Sequence, residues 1–315
     1  MYRKMLVPLD GSEFAEVVFP YVKGLAGKLD LEVVLLHVSD VDEREFAPMD
    51  RAYLEHVGED IRRDSRSIQQ RAVSGTAGKP VEVRGELVVG YSAEGILHYA
   101  HENTVDFIII ATQRQSGIRH WELGKVTDKV LRAANVPVLL VRAGISDETP
   151  YDKWPKVTIL VPLDGSVLAE SVLPHVETMA KQRGPEPLDV VLLRVCEPPA
   201  MPSYYAPDIS AVPLNWGEYM QQETAKCNEA AKTYLDGVEN RLKNSGIADV
   251  RSEIVVGKAV DAIINFVNKN PFTLIVMATH GRSGLSRWVY GSVAESVLLG
   301  VTKPIFLVRA PSANA

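Results

Sequence analysis

Residues 5–10 read MLVPLD and residues 159–164 read ILVPLD, an offset of 154. LVVG at 87–90 returns as IVVG at 254–257, ATQRQSG at 111–117 as ATHGRSG at 278–284, and LLVRA at 139–143 as FLVRA at 306–310, each at an offset of 167. A net insertion of 13 residues in the second copy, around the Pro- and Tyr-rich stretch 197–216, accounts for the difference. The chain is therefore expected to be one fold written twice. Its 315 residues allow two units of about 150, each large enough to bury a core of its own. The expected domains are 1–145 and 156–315, joined by a breaker-rich linker at 144–155.

Each copy alternates short apolar runs with amphipathic segments. In the first copy, strands are predicted at 5–9, 33–38, 81–88, 107–111 and 138–141. Phe14, Val17, Val18, Tyr21, Val22 and Leu25 follow helical spacing, and further helices are predicted at 51–73, 93–103 and 122–134. Short, continuously apolar strands suit a parallel sheet buried on both faces. Strict alternation with helices gives a doubly wound α/β sheet, and right-handed crossovers leave few topologies. Ligands in such sheets bind beyond the carboxyl ends of the strands, where the strand order reverses. The loop motifs follow the first strand (Asp10-Gly11-Ser12, Asp164-Gly165-Ser166) and the fourth (residues 111–114, 278–281). Order 3-2-1-4-5 brings these loops together, whereas 2-1-3-4-5 separates them.

A net charge of −6 argues against nucleic acid as the main partner, because a phosphate backbone selects a concentrated basic surface. The two cysteines, Cys196 and Cys227, lie in different contexts and read as two separate thiols in a reducing compartment. No apolar run is long enough to span a membrane, and the N-terminus meets Pro8 and Asp10 too early for a signal peptide, so the cytoplasm is the expected location. His98 and His101 share a predicted helix, but two side chains do not make a metal site.

The most informative stretch is 281–292, which reads GRSGLSRWVYGS and leads into a helix marked by Val293, Val297 and Leu298. Gly281 and Gly284 let backbone amides approach a bulky anion, and Gly291-Ser292 open a helix whose free N–H groups and dipole favour phosphate. Asp164 has two readings, an acceptor for ribose hydroxyls or a turn-forming and capping residue. Ser166 reads first as a cap. His280 lies within the phosphate motif, with no partner in the sequence that would make it a base.

At these residues the chain resembles the universal stress protein family. ATP-binding members of that family carry Gly-x-x-Gly, nine residues, then Gly-Ser or Gly-Thr. Here Ala278-Thr279-His280-Gly281 is followed by nine residues and Gly291-Ser292, with alanine in place of the first glycine. The resemblance covers nearly the whole chain, once per copy. It implies an adenine nucleotide alpha hydrolase-like sheet of order 3-2-1-4-5, ATP (with or without magnesium) in the crevice, and pairing through strand five, here between the two copies of one chain in a pseudo-two-fold arrangement. It implies that Pro162, Leu163 and Asp164 flank adenosine, that the backbone of Val195 and Gly257 close the adenine side, and that Met277, Ala278, His280, Gly281, Gly291, Ser292 and Val293 line ribose and phosphates.

The first copy departs from the pattern. Pro8, Asp10, Val38, Gly90 and Gly124 remain, but Arg114 replaces the second motif glycine and Lys125 the helix-opening serine. These cations either attract phosphate or fill its place, and the expectation is a lost or altered site. Function is accordingly expected to be that of an ATP-binding stress or signalling module with little catalysis. A partner-binding scaffold without nucleotide and a slow ATPase are the alternatives. Beyond the internal pair, a further homodimer is open, and the sequence names no protein partner.

Overall fold

The computed structural model describes residues 1–40, 47–72, 80–112, 123–143, 157–183, 188–199, 215–279 and 291–310. The first half runs β1 (Lys4–Leu9), a 3-10 turn (Ala15–Val18), α1 (Phe19–Leu29), β2 (Glu32–Ser39), α2 (Ala47–Ala72), β3 (Val83–Val89), α3 (Ser92–Glu102), β4 (Phe107–Thr112), α4 (Lys125–Ala133) and β5 (Val138–Arg142). The second half repeats it: β6 (Val157–Pro162), α5 (Val167–Glu170), α6 (Leu173–Arg183), β7 (Leu188–Cys196), α7 (Trp216–Asn244), β8 (Asp249–Val256), α8 (Ala259–Lys269), β9 (Leu274–Thr279), α9 (Ser292–Gly300) and β10 (Ile305–Arg309). The periodicity beginning at Phe14 is split, with a 3-10 turn before α1, and Pro20 in the first turn of that helix supplies a preset φ. Among the described residues, no helix is long and apolar enough to cross a membrane.

All ten strands form one sheet, in the order β3-β2-β1-β4-β5-β10-β9-β6-β7-β8. Each half has the expected order 3-2-1-4-5 and is parallel throughout. The halves join where β5 and β10 pair antiparallel, with Phe306 opposite Leu139. Alternate residues of each strand face opposite layers. Met5, Val7 and Leu9 pack beneath α1 and α2, whereas Leu6 packs toward α3 and α4, and both apolar layers run unbroken across the seam.

The N-terminus reaches across that seam. The backbone N–H of Tyr2 donates to Gln182 Oε1 at 2.7 Å, and its ring meets Phe107 edge-on at 5.2 Å. Burial, with a smaller contribution from Asp106, pushes the Tyr2 phenol well above its ordinary value, while burial holds His175 below 6.5. The phenol therefore keeps its proton, and it shares a hydrogen bond of 2.6 Å with Nδ1 of a neutral His175. An imidazole that resists protonation in the fold takes up protons first in the unfolded chain. The stability it confers is complete above about pH 6.5 and is lost as pH falls through that value toward its folded pKa. Melting temperature should therefore fall more steeply between pH 7 and 5 in the native chain than in His175→Gln, which keeps an acceptor but does not titrate. Parallel pH profiles would rule out this role for His175.

One expectation is corrected here. Cys196 and Cys227 are not separate thiols; they form a disulfide, with Cα atoms 5.9 Å apart. The helix after the insertion, α7, folds back over the end of β7 and brings Cys227 against the buried Cys196.

Candidate functional site

The crevice of the second half begins with a proline. β6 pairs with β9 only through Ile159 and Leu160, and then the two strands part. Leu163 N–H donates to Leu193 O on β7, so the nitrogen before it, that of Pro162, faces the β9 side where the ladder has already ended. A residue without an N–H is harmless there and would be costly in an intact central strand. β1 parts from β4 in the same way, after Met5 and Leu6 and before Pro8.

The cleft that opens at this split measures about 210 Å³. Its walls include Pro162, Leu163, Asp164, Arg194, Val195, Met277, Ala278, Gly291, Ser292 and Val293. An apolar void between the halves, lined by Tyr2, Phe107 and Phe306, amounts to about 30 Å³ and has room for little more than one water.

Asp164 lies on an exposed turn, and Gly165 follows at φ +84°, a conformation that favours glycine. The Asp164 Oδ1 atom accepts from the Ser166 amide at 2.9 Å and the Ser166 hydroxyl at 2.6 Å. Ser166 Oγ accepts in turn from Ala169 N–H at 3.0 Å and caps α5. Burial raises the Asp164 carboxyl, but the Ser166 bonds and the Arg194 charge outweigh it and hold the group below its ordinary value. The turn-forming reading of Asp164 and the capping reading of Ser166 thus describe what both residues do in the fold, and they leave an ionised carboxylate at the cleft.

One backbone conformation recurs at the end of the third strand in both halves. Gly257 has φ +152° and donates its N–H to Cys196 O at 3.0 Å, tying the end of β8 to the residue after Val195. Gly90 repeats this at φ +152°, bonded to Ser39 O at 3.0 Å. At the far wall, Gly291 is the N-cap of α9 and has no side chain to satisfy the first amides. Met277 is buried near the end of β9, beside Ala278. His280, Gly281 and Gly284 lie outside the described residues, as does Arg114.

Arg194 was not among the residues singled out in the sequence. Its Nη1 donates to Leu163 O at 3.4 Å. In the first half His37 holds the corresponding place, with Nδ1 3.0 Å from Leu9 O and Nε2 3.7 Å from Asp50. The first half departs further. Gly124 also caps its helix without a side-chain bond, and Lys125 stands exposed at the first position of α4. The buried Thr127, however, donates its hydroxyl to Ala111 O at 3.2 Å, bridging α4 to β4. The second half has alanines at both positions, Ala294 and Ala278, and both line the cleft. Asp10 keeps its turn, accepting from Ser12 N–H at 3.0 Å, and a Lys129–Glu94 ion pair joins α4 to α3.

The family model for universal stress proteins matches residues 1–142 and again 157–309. The chain belongs to the universal stress protein family. A member from Methanocaldococcus jannaschii is 30% identical over 157 residues, covering 45% of this chain and 96% of its own length. A member from Mycobacterium tuberculosis is 22% identical over 310 residues, 97% of this chain and 96% of its own. The crystal structure of a universal stress protein from Archaeoglobus fulgidus shares the fold from end to end, with TM-score 0.66 at 20% identity over 97% of this chain and 98% of that one. Among the described residues, no three His, Cys, Asp or Glu side chains cluster as a metal site.

Proposed function

We propose that the chain is an ATP-binding stress or signalling module, built as two domains over 1–145 and 156–315, with its nucleotide in the second domain. The observation that carries this reading is the cleft between the diverging β6 and β9, which has the ionised Asp164 on one wall and the uncapped start of α9 on the other. Adenine meets the backbone of Val195 and is closed in by Gly257, ribose hydroxyls donate to Asp164, and the phosphates take the amides from Gly291 to Val293. His280, Gly281 and Gly284 complete the phosphate side. A single helix dipole contributes only about 0.3–1 kcal/mol when exposed, so several amides acting together must supply the affinity.

In the first domain, Pro8, Asp10, Val38, Gly90 and Gly124 keep the residue types of the second, but Arg114 and Lys125 depart from them, and Thr127 ties α4 to the Ala111 carbonyl of β4 where the second domain has Ala294 and no such hydroxyl. One nucleotide per chain follows. A nucleotide-free scaffold is the reading that remains if the second cleft does not bind ATP either.

ATP present at about 100 times its Kd should stabilise the protein by roughly 2.7 kcal/mol and raise its melting temperature by several degrees. Acid extraction of purified protein, followed by mass spectrometry, tests whether an adenine nucleotide copurifies. No thermal shift with ATP and magnesium and no extracted nucleotide would sink the reading.

A further inference from the structure

The helices that open at the crevices end against the opposite half. Arg142, the last residue of β5, is 4% exposed and donates from Nη2 to the carbonyl of Leu298 in α9. Val301 N–H closes the α9 ladder on Val297 O, so Leu298 is the first carbonyl past its end. Arg309, at the matching position of β10, donates to Ala134 O beyond α4 at 3.3 Å and to Asn135 Oδ1 at 3.4 Å. Each half thus sends an arginine into the carboxyl end of the other half's crevice helix, where a cation satisfies an orphan carbonyl and complements the dipole. Burial pushes the Arg142 guanidinium down to about 10, which leaves it charged at neutral pH.

We propose that Arg142 is a positioning residue for the second crevice: anchored in the first half, it fixes α9 from its carboxyl end and so sets where the Gly291–Val293 amides stand. This rests on the nucleotide reading above. α9 is a rod of nine residues, about 13 Å long, so a restraint at Leu298 is felt at Ser292, less than two turns away. Domain pairing and phosphate binding are then one mechanical unit, and the first half serves the second even with its own site altered.

The test compares the full chain with Arg142→Gln, Arg142→Lys and Arg309→Gln. Calorimetric titrations use ATP-magnesium and, separately, adenosine, which has no phosphates to report on α9. Arg142→Gln should weaken ATP about tenfold and leave adenosine within twofold. Arg142→Lys, which keeps the cation, should fall between it and the native chain, and Arg309→Gln should change neither ligand. Without ligand, hydrogen exchange at amides 295–297, the first that are bonded within α9, should quicken in Arg142→Gln while exchange along β9 stays unchanged. An equal loss of ATP and adenosine, or unchanged exchange at 295–297, would overturn the proposal. If the native chain binds neither ligand, it is the nucleotide reading that fails, and exchange alone decides the role of Arg142.

Discussion

Gly291→Asp should abolish ATP binding and leave the ligand-free protein as stable as before, or slightly more so. The backbone at Gly291, φ −65° and ψ 148°, is open to any L-residue, so the substitution introduces no strain. Aspartate is among the best N-caps, and glycine is worse by only a few tenths of a kcal/mol. Its carboxylate would accept from the amides of Val293 or Ala294, two of the groups left free by the glycine cap. It would also place a negative charge where the phosphates are proposed to lie. Loss of even two charge-assisted hydrogen bonds, at about 1.5–3 kcal/mol each, corresponds to at least 100-fold in affinity. Titration calorimetry reads the affinity, and thermal melting confirms that the variant is folded. Gly124→Asp, made at the equivalent N-cap of α4, should leave ATP binding unchanged. ATP affinity within threefold of native in Gly291→Asp would mean that the phosphates do not sit on α9.

Reduction should cost the protein about 3–4 kcal/mol of unfolding free energy. Cys196 and Cys227 are separated by 31 residues, and closing a loop of that size removes roughly this much chain entropy from the unfolded state. Urea unfolding with and without a phosphine reductant measures the difference. Cys227→Ala should match the reduced protein and show no response to reductant. Thiol titration of the denatured, unreduced chain should find no free cysteine, since among the described residues none is free. Two titratable thiols in that experiment would show that the cross-link does not form in solution.

The architecture was largely legible in the sequence because it rests on signals that are local and repeated. Apolar runs such as Phe107–Thr112 are fully or nearly buried strands, and the loops after β1 and β4 were enough to choose the strand order. What stayed hidden depends on meetings between distant segments. Nothing near Cys196 or Cys227 says that α7 returns over β7. Thr127 in VTDKV looks like an ordinary helical threonine until β4 places the Ala111 carbonyl beside it. Arg142 sits in an apolar strand, and its partner is 156 residues away in the other copy. Pro8 and Pro162 are visible as residues, yet the reason they are tolerated, a ladder that ends after two pairs, is a property of the sheet.

The antiparallel seam between β5 and β10 gives the molecule a front and a back. Strands within each half share one direction, and that direction reverses across the seam. The carboxyl edge of the first half therefore lies on the opposite side of the molecule from that of the second. The two crevices face away from each other, and no small ligand can span them. A partner that docks over one mouth leaves the other open to solvent. Covalent fusion adds a freedom that a symmetric dimer lacks: a change on one face need not be copied on the other, so a single chain can present two unlike surfaces, only one of them the face proposed for nucleotide.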